Sequence, residues 1–107
     1  MPDDDHMSPG QFRELGGKLL DYIADYREGI ADRPVLSKVE PGEVAARLPA
    51  GPPLQGDSLA GILEDIDEIV MPGITHWQSP GFFGYYPANS SLPAVLAELL
   101  CAGLGVQ

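Results

Sequence analysis

Apolar positions along the chain fall into three helical repeats, separated by stretches that repeat nothing. The first is Phe12, Leu15, Leu19, Ile23, Tyr26 and Ile30, spaced so that all share one helix face. Ser8 is placed to cap this helix, and Pro9 suits its first position, where no amide donor is needed. Gly16 and Gly17 lie inside it, each at a cost of up to ~1 kcal/mol against alanine, which points to close approach of another helix. Gly29 and Pro34 bracket its end. The second repeat is Leu59, Ile62, Leu63, Ile66, Ile69 and Val70, capped by Asp57 or Ser58 and stopped by Pro72-Gly73. Glu64, Asp65, Asp67 and Glu68 occupy its other face and read as a solvated surface, since no ligand cluster accompanies them. The third is Leu92, Val95, Leu96, Leu99 and Leu100, with Ser90 or Ser91 as cap, Pro93 in the first turn, and Gly103 and Gly105 at the end.

Residues 31–57 read mostly as connection. Within them, Glu40-Pro41-Gly42-Glu43-Val44 can open one or two helical turns with Pro41 at the first position, stopped by Pro49. Ala50-Gly51-Pro52-Pro53 reads as an extended linker. Residues 1–8 are a polar, acidic lead expected to be disordered. The expected fold class is mainly α.

Residues 71–91 break the pattern. They hold the single tryptophan, Phe82 and Phe83, Tyr85 and Tyr86, and His76, with prolines and glycines threaded between. Such a mixture suits neither a helix nor a plain strand. Large aromatics on an irregular backbone carried by helices are placed to bind something. Some of them pack inward, and the others can wall a flat, apolar ligand, a task that suits the aromatic face and polar handle of tyrosine. His76 can serve there as a proton donor or stacking group, or as a satisfied buried histidine; the second reading is favoured.

Charge and composition narrow the classes. The net charge is −10, and all six lysines and arginines lie at or before Arg47. Nucleic-acid binding lacks its basic footprint, and an anionic membrane surface is disfavoured for the same reason. One cysteine, Cys101, excludes an internal disulfide; with only two histidines beside it a structural zinc site is also disfavoured. A buried free thiol is the expected state of Cys101. No apolar run reaches the ~20 residues of a membrane span. The opening Met-Pro-Asp-Asp-Asp-His is acidic where a secretory leader is basic, so a cytoplasmic location is expected. A chain of 107 residues is at most one domain with a thin core. It also finishes on its greasiest helix, and the reading is of a piece of a larger protein.

Catalytic machinery is sparse. No serine stands in a recognisable arrangement with a histidine and an acid, and Gly103-x-Gly105 lacks the strand and helix of a phosphate loop. Lys18, on a helix among acids, and Lys38, in a connector, are the only amines that could form a Schiff base; both read as surface lysines.

The run Met71-Pro72-Gly73-Ile74-Thr75-His76-Trp77-Gln78-Ser79-Pro80-Gly81-Phe82-Phe83-Gly84-Tyr85-Tyr86-Pro87 closely resembles the signature of the aromatic-L-amino-acid decarboxylases, the group II pyridoxal-phosphate decarboxylases. The likeness continues through Ser90-Ser91-Leu92-Pro93-Ala94-Val95-Leu96-Ala97 and Leu100-Cys101-Ala102-Gly103, and backward through Phe12-Arg13, Asp21-Tyr22 and Val39-Glu40-Pro41-Gly42. It covers nearly the whole chain. The resemblance implies the helical N-terminal segment of an aspartate-aminotransferase-like (fold type I) α/β enzyme that works as a homodimer. Residues 9–70 would form a helical dimer clasp, 71–91 an aromatic active-site loop, and 92–107 the start of the cofactor-binding domain. Pyridoxal 5'-phosphate would belong to the full-length parent, whose cofactor lysine lies later in sequence; no catalytic group, no metal and no bound cofactor are expected in this piece, which would be inactive alone. Trp77, Tyr85, Tyr86, Pro87 and Ala88 match family positions around the substrate's aromatic ring, and Gln107 matches one that serves the partner subunit's pocket.

Three of these positions depart from the family's animal enzymes. Gln78 stands in place of a second histidine, Ala88 in place of threonine, and Gln107 in place of an aliphatic residue. All touch the implied pocket and leave the substrate open. Decarboxylation to an amine and its sister reaction, decarboxylation with oxidative deamination to an aldehyde, both fit. A glutamate-type decarboxylase is disfavoured because the loop offers no basic group. The alternative of another class is a helical interaction module with no catalytic role, which the paired glycines and the apolar last helix also fit.

Overall fold

The computed structural model describes residues 7–84 and 90–105. Its first element, α1 (Pro9–Gly29), starts with a reciprocal cap. The Gln11 amide donates to Ser8 Oγ at 3.1 Å while the Ser8 amide donates to Gln11 Oε1 at 2.9 Å, so two of the helix's orphan donors are satisfied. At its far end the chain tightens into a 3₁₀ turn, Ile30–Asp32, and buries Ile30. A methyl built on Gly16 or Gly17 meets nothing within 4 Å. The close helix approach expected at this pair is therefore not made within the described residues.

The connector contains one short helix, α2 (Glu43–Arg47). Pro41 is not at its first position as expected. The Glu43 amide donates to the Glu40 carbonyl at 3.0 Å, and Gly42 adopts φ 85°, ψ −9°, the geometry of a type II turn with proline and glycine at its centre. Pro-Gly here turns the chain, and the helix begins after it. At the other end Leu48 is extended, the conformation forced on a residue that precedes proline.

Ser58 rather than Asp57 caps α3 (Leu59–Asp65), accepting the Gly61 amide at 3.0 Å. The pattern predicts one helix to Val70, but the last turn, Ile66–Val70, widens to a π turn before a 3₁₀ turn, Met71–Gly73. The helix then stops at Pro72. Pro72 has no amide hydrogen, so the Glu68 carbonyl lacks the donor an α-helix would supply from four residues on. Arg47 Nη1 donates to that carbonyl instead, at 2.8 Å, and this bond docks α2 beside the π turn.

The last helix, α4 (Leu92–Leu104), is capped by Ser91, with Pro93 in its first turn. It ends on Gly105, left-handed at φ 67°, whose amide returns to the Cys101 carbonyl at 3.2 Å. Gly103 is inside the helix rather than at its end. Among the described residues there is no strand, and no helix is long and apolar enough to cross a membrane.

Among the described residues, the buried apolar side chains are Ile30 and Met71, joined by His76 and Ser79. Phe12, Leu96, Leu99, Leu100 and Leu104 are exposed, and so is Cys101, contrary to expectation. The radius of gyration is 16.6 Å, against ~13 Å for a compact domain of this length. The α4 apolar face and the Phe12 and Leu19 end of the α1 face are thus offered outward rather than closed on each other, while Ile23, Tyr26 and Ile30 turn toward the buried end.

Candidate functional site

The aromatic segment leaves α3 through the turn at Met71–Gly73 and crosses the connector at residues 33–36. The His76 amide donates to the Val35 carbonyl at 2.9 Å, fixing the crossing. Two tight turns follow. The Ser79 amide reaches the His76 carbonyl at 3.0 Å, and the Phe82 amide reaches the Ser79 carbonyl at 3.1 Å. Ser79 is 7 % exposed, and its Oγ accepts the Gly81 amide at 3.2 Å. Proline and glycine in this stretch therefore serve a compact, hydrogen-bonded path.

That path puts His76 inward and Trp77 outward. His76 is 5 % exposed, and its Nδ1 lies 2.6 Å from the Tyr26 hydroxyl of α1. Burial, and secondarily the charge of Arg33, hold the His76 pKa below the ordinary histidine value. The neutral ring is thereby favoured, and Nδ1 accepts the Tyr26 proton, leaving the ring hydrogen on Nε2. Tyr26 is pushed the other way: burial raises its pKa, opposed by Arg33 and Arg27. The Arg33 Cζ sits 5.3 Å from the Tyr26 ring centroid, within cation–π range. His76 is accordingly a satisfied buried histidine, as favoured, though its partner is a phenol rather than a backbone carbonyl.

Trp77 is 49 % exposed and stacks on Phe82, with centroids 6.3 Å apart and planes 25° from parallel. Phe82 is half-buried while Phe83 is 90 % exposed, so one phenylalanine packs and the next is shown. Of the expected pocket residues, Trp77 lies on this surface; Tyr85, Tyr86, Pro87, Ala88 and Gln107 lie outside the described residues. Where the description resumes, Arg27 of α1 donates through Nη2 to the Ser90 carbonyl and, at 2.6 Å, to Ser90 Oγ.

Two cavities border the buried end. One of about 320 Å³ lies between the connector and the π turn, with Arg33, Ser37, Lys38, Asp67, Met71 and His76 among its lining. The other, about 240 Å³, is walled by Tyr22, Ile23, Tyr26, Met71 and Ile74. Tyr22 above it donates to Asp67 Oδ1 at 2.8 Å, and burial plus that bond push its pKa up to about 12. Asp67 is thus tied to α1 and is not simply part of a solvated acidic face. Neither lining includes Trp77 or Phe82, so the aromatic surface is a separate, open wall.

The residues do not by themselves fit an aldehyde cofactor held as a Schiff base. Lys18 is exposed and paired with Glu14 at 3.7 Å, and Lys38 is exposed in the connector; neither amine has the desolvated setting that activates it. Among the described residues no group of three or more His, Cys, Asp or Glu could hold a metal ion.

Tyr26, Arg27, Arg33 and Ser90 were not legible as site residues. Tyr26 fits the apolar repeat of α1, and Arg27 looks like an ordinary last-turn cation. Only the fold brings them to residues fifty or more positions away.

The described residues thus form a helical frame that presents one stacked aromatic surface with its other sides open. The family model described as the pyridoxal-dependent decarboxylase conserved domain matches residues 41–106, and the chain belongs to that family. The mouse aromatic-L-amino-acid decarboxylase is 48 % identical over 99 residues, covering 92 % of this chain and 21 % of the relative. The structure of Catharanthus roseus tryptophan decarboxylase in complex with L-tryptophan superposes with a TM-score of 0.84 at 37 % identity, covering 92 % of this chain and 21 % of that one. Rhodiola rosea 4-hydroxyphenylacetaldehyde synthase gives 0.86 at 41 % identity, covering 94 % and 21 %. The chain therefore spans about one fifth of the length of the relatives it matches, and its helices correspond to a helical portion of those larger folds.

Proposed function

We propose that this chain is the helical dimer clasp and the aromatic pocket wall of a pyridoxal-phosphate-dependent decarboxylase of aromatic L-amino acids, yielding an amine and carbon dioxide. Family membership carries the reading, and the exposed Trp77 stacked on Phe82 supports an aromatic substrate. The cofactor, when bound to the full-length protein, supplies an electron sink for the carbanion that loss of carbon dioxide generates. This chain's part is to orient: an aromatic wall holds the substrate ring and so directs its carboxylate, at small entropic cost. By the resemblance, Tyr85, Tyr86, Pro87 and Ala88 extend that wall, and Gln107 serves the partner's pocket. Residues 9–70 clasp a second copy, a role supported by the outward Phe12 and Leu19 of α1. The chain alone is inactive, and the full-length enzyme is cytoplasmic.

The test is carbon dioxide release by the full-length protein, with added pyridoxal phosphate, from L-tryptophan, L-tyrosine, L-dopa and L-glutamate. Turnover of an aromatic amino acid is expected. Preference for L-glutamate, or release from none of the aromatic substrates, refutes the reading. Similarity to an aldehyde synthase favours one second reading, with dioxygen as the oxidant; detection of an aldehyde, ammonia and hydrogen peroxide in place of the amine would establish it.

A further inference from the structure

The geometry points to Tyr26 and Arg27 as positioning residues that set the aromatic wall against α1, one holding each end of the segment. Tyr26 holds His76, the residue before Trp77, through the 2.6 Å bond to Nδ1. Arg27 holds Ser90, the residue before the Ser91 cap of α4, through both its carbonyl and its hydroxyl. Neighbours on a helix point ~100° apart, so the two grips leave the α1 terminus in different directions.

Each grip is sheltered. His76 is buried, and both Arg27 bonds are part-buried. Arg33 braces the Tyr26 ring. The spacing is specific as well: shifting either contact by one helical residue swings its anchor a quarter-turn around α1. Trp77 follows His76 directly and stacks on Phe82, whose amide is bonded to Ser79. The angle of the Trp77 face is therefore transmitted from Tyr26, and the start of α4 from Arg27. This rests on the reading that Trp77 lines the pocket of an aromatic amino acid.

The full-length holoenzyme tests it, with the variants Tyr26→Phe, Arg27→Ala, Arg27→Lys and Trp77→Ala. Hydrogen exchange of the peptide covering residues 76–84 is read beside KM, kcat and bound pyridoxal phosphate. Tyr26→Phe and Arg27→Ala are expected to speed exchange there and to raise KM for the aromatic substrate about tenfold, the equivalent of one such hydrogen bond. Cofactor content should hold, and Arg27→Lys should recover part of the loss because it retains a cationic donor. Unchanged exchange in both variants overturns the proposal without touching the pocket reading. Faster exchange with unchanged KM overturns the positioning role if Trp77→Ala still raises KM. If Trp77→Ala also leaves KM unchanged, the pocket reading itself fails, and the positioning role with it.

Discussion

Gly73→Ala is a sharp test of how the turn before the site is packed. A Cβ built on Gly73 lies 2.7 Å from Val44 Cγ2 of α2 and 3.8 Å from its Cβ. Carbon atoms rest at about 3.5–4.0 Å, so the new methyl overlaps Val44 by nearly an ångström. Val44 has little freedom to yield, because a β-branched side chain in a helix keeps one strongly preferred rotamer. Relief requires α2 to move, and α2 is also held by Arg47 on the Glu68 carbonyl. Overpacking of this kind costs roughly 1–3 kcal/mol. Replacing glycine returns about 0.4–1 kcal/mol by restricting the unfolded chain, which leaves a net loss of ~1–2 kcal/mol. Val44→Ala removes the offending methyl, so the double variant should be no less stable than Val44→Ala alone. Urea denaturation followed by circular dichroism, on the four members of the cycle, measures the coupling. Effects that add to within ~0.3 kcal/mol, or a stabilising Gly73→Ala, would show that Gly73 is not gripped by α2.

Three further outcomes follow from individual contacts. Tyr26→Phe strands the buried His76 Nδ1 and should cost ~1–2 kcal/mol at pH 7.5. Because the folded His76 pKa is depressed, the unfolded chain binds more protons between that value and ~6.5; the stability owed to neutral His76 is complete above this window and lost as pH falls through it. The gap between parent and variant should then narrow toward pH 5 in thermal melts, and a constant gap would contradict the assignment of the Tyr26 proton to Nδ1. Arg47→Met removes the donor from the Glu68 carbonyl and should cost ~0.5–1.5 kcal/mol; no change in the urea midpoint would mean that water serves as well. Ser8→Ala breaks the reciprocal cap of α1 and should cost ~1 kcal/mol, seen as faster amide exchange in the first turn.

The elements that could be read from sequence are those whose cause is local. Ser8, Ser58 and Ser91 cap because a hydroxyl in that position finds an amide three residues on, and proline and glycine bound the helices for equally local reasons. Pro41-Gly42 was ambiguous because the same pair can start a helix or make a turn, and the left-handed Gly42 decided for the turn. The π turn was hidden because the apolar repeat runs on unbroken through Ile66, Ile69 and Val70, and the Arg47 bond to the Glu68 carbonyl was hidden because it arrives from another element. In the aromatic segment, an outward-facing aromatic such as Trp77 was legible from the irregular, proline- and glycine-rich surroundings. The grips were not, because nothing within α1 distinguishes Tyr26 from a core aromatic until His76 is placed beside it, fifty residues away.

Arg27 shows how strongly the fold favours that arrangement. A cation in the last turn of a helix has a local use, the interaction with its own terminal carbonyls, worth about 0.3–1 kcal/mol. Its guanidinium forgoes this for Ser90, 63 residues on. The alternative must therefore be stronger, and the loop explains why. Fixing both ends of a segment that runs from residue 76 to 90 costs roughly 2 kcal/mol in its length-dependent closure entropy. Two charge-assisted bonds from Arg27 to Ser90, at about 1.5–3 kcal/mol each, together with one neutral bond from Tyr26 to His76, at about 0.5–1.5 kcal/mol, exceed that cost. The Arg27 pair alone meets it, and the Tyr26 bond alone falls short of it. Loss of Arg27 should therefore loosen both ends of the segment, whereas loss of Tyr26 should loosen chiefly the end at His76.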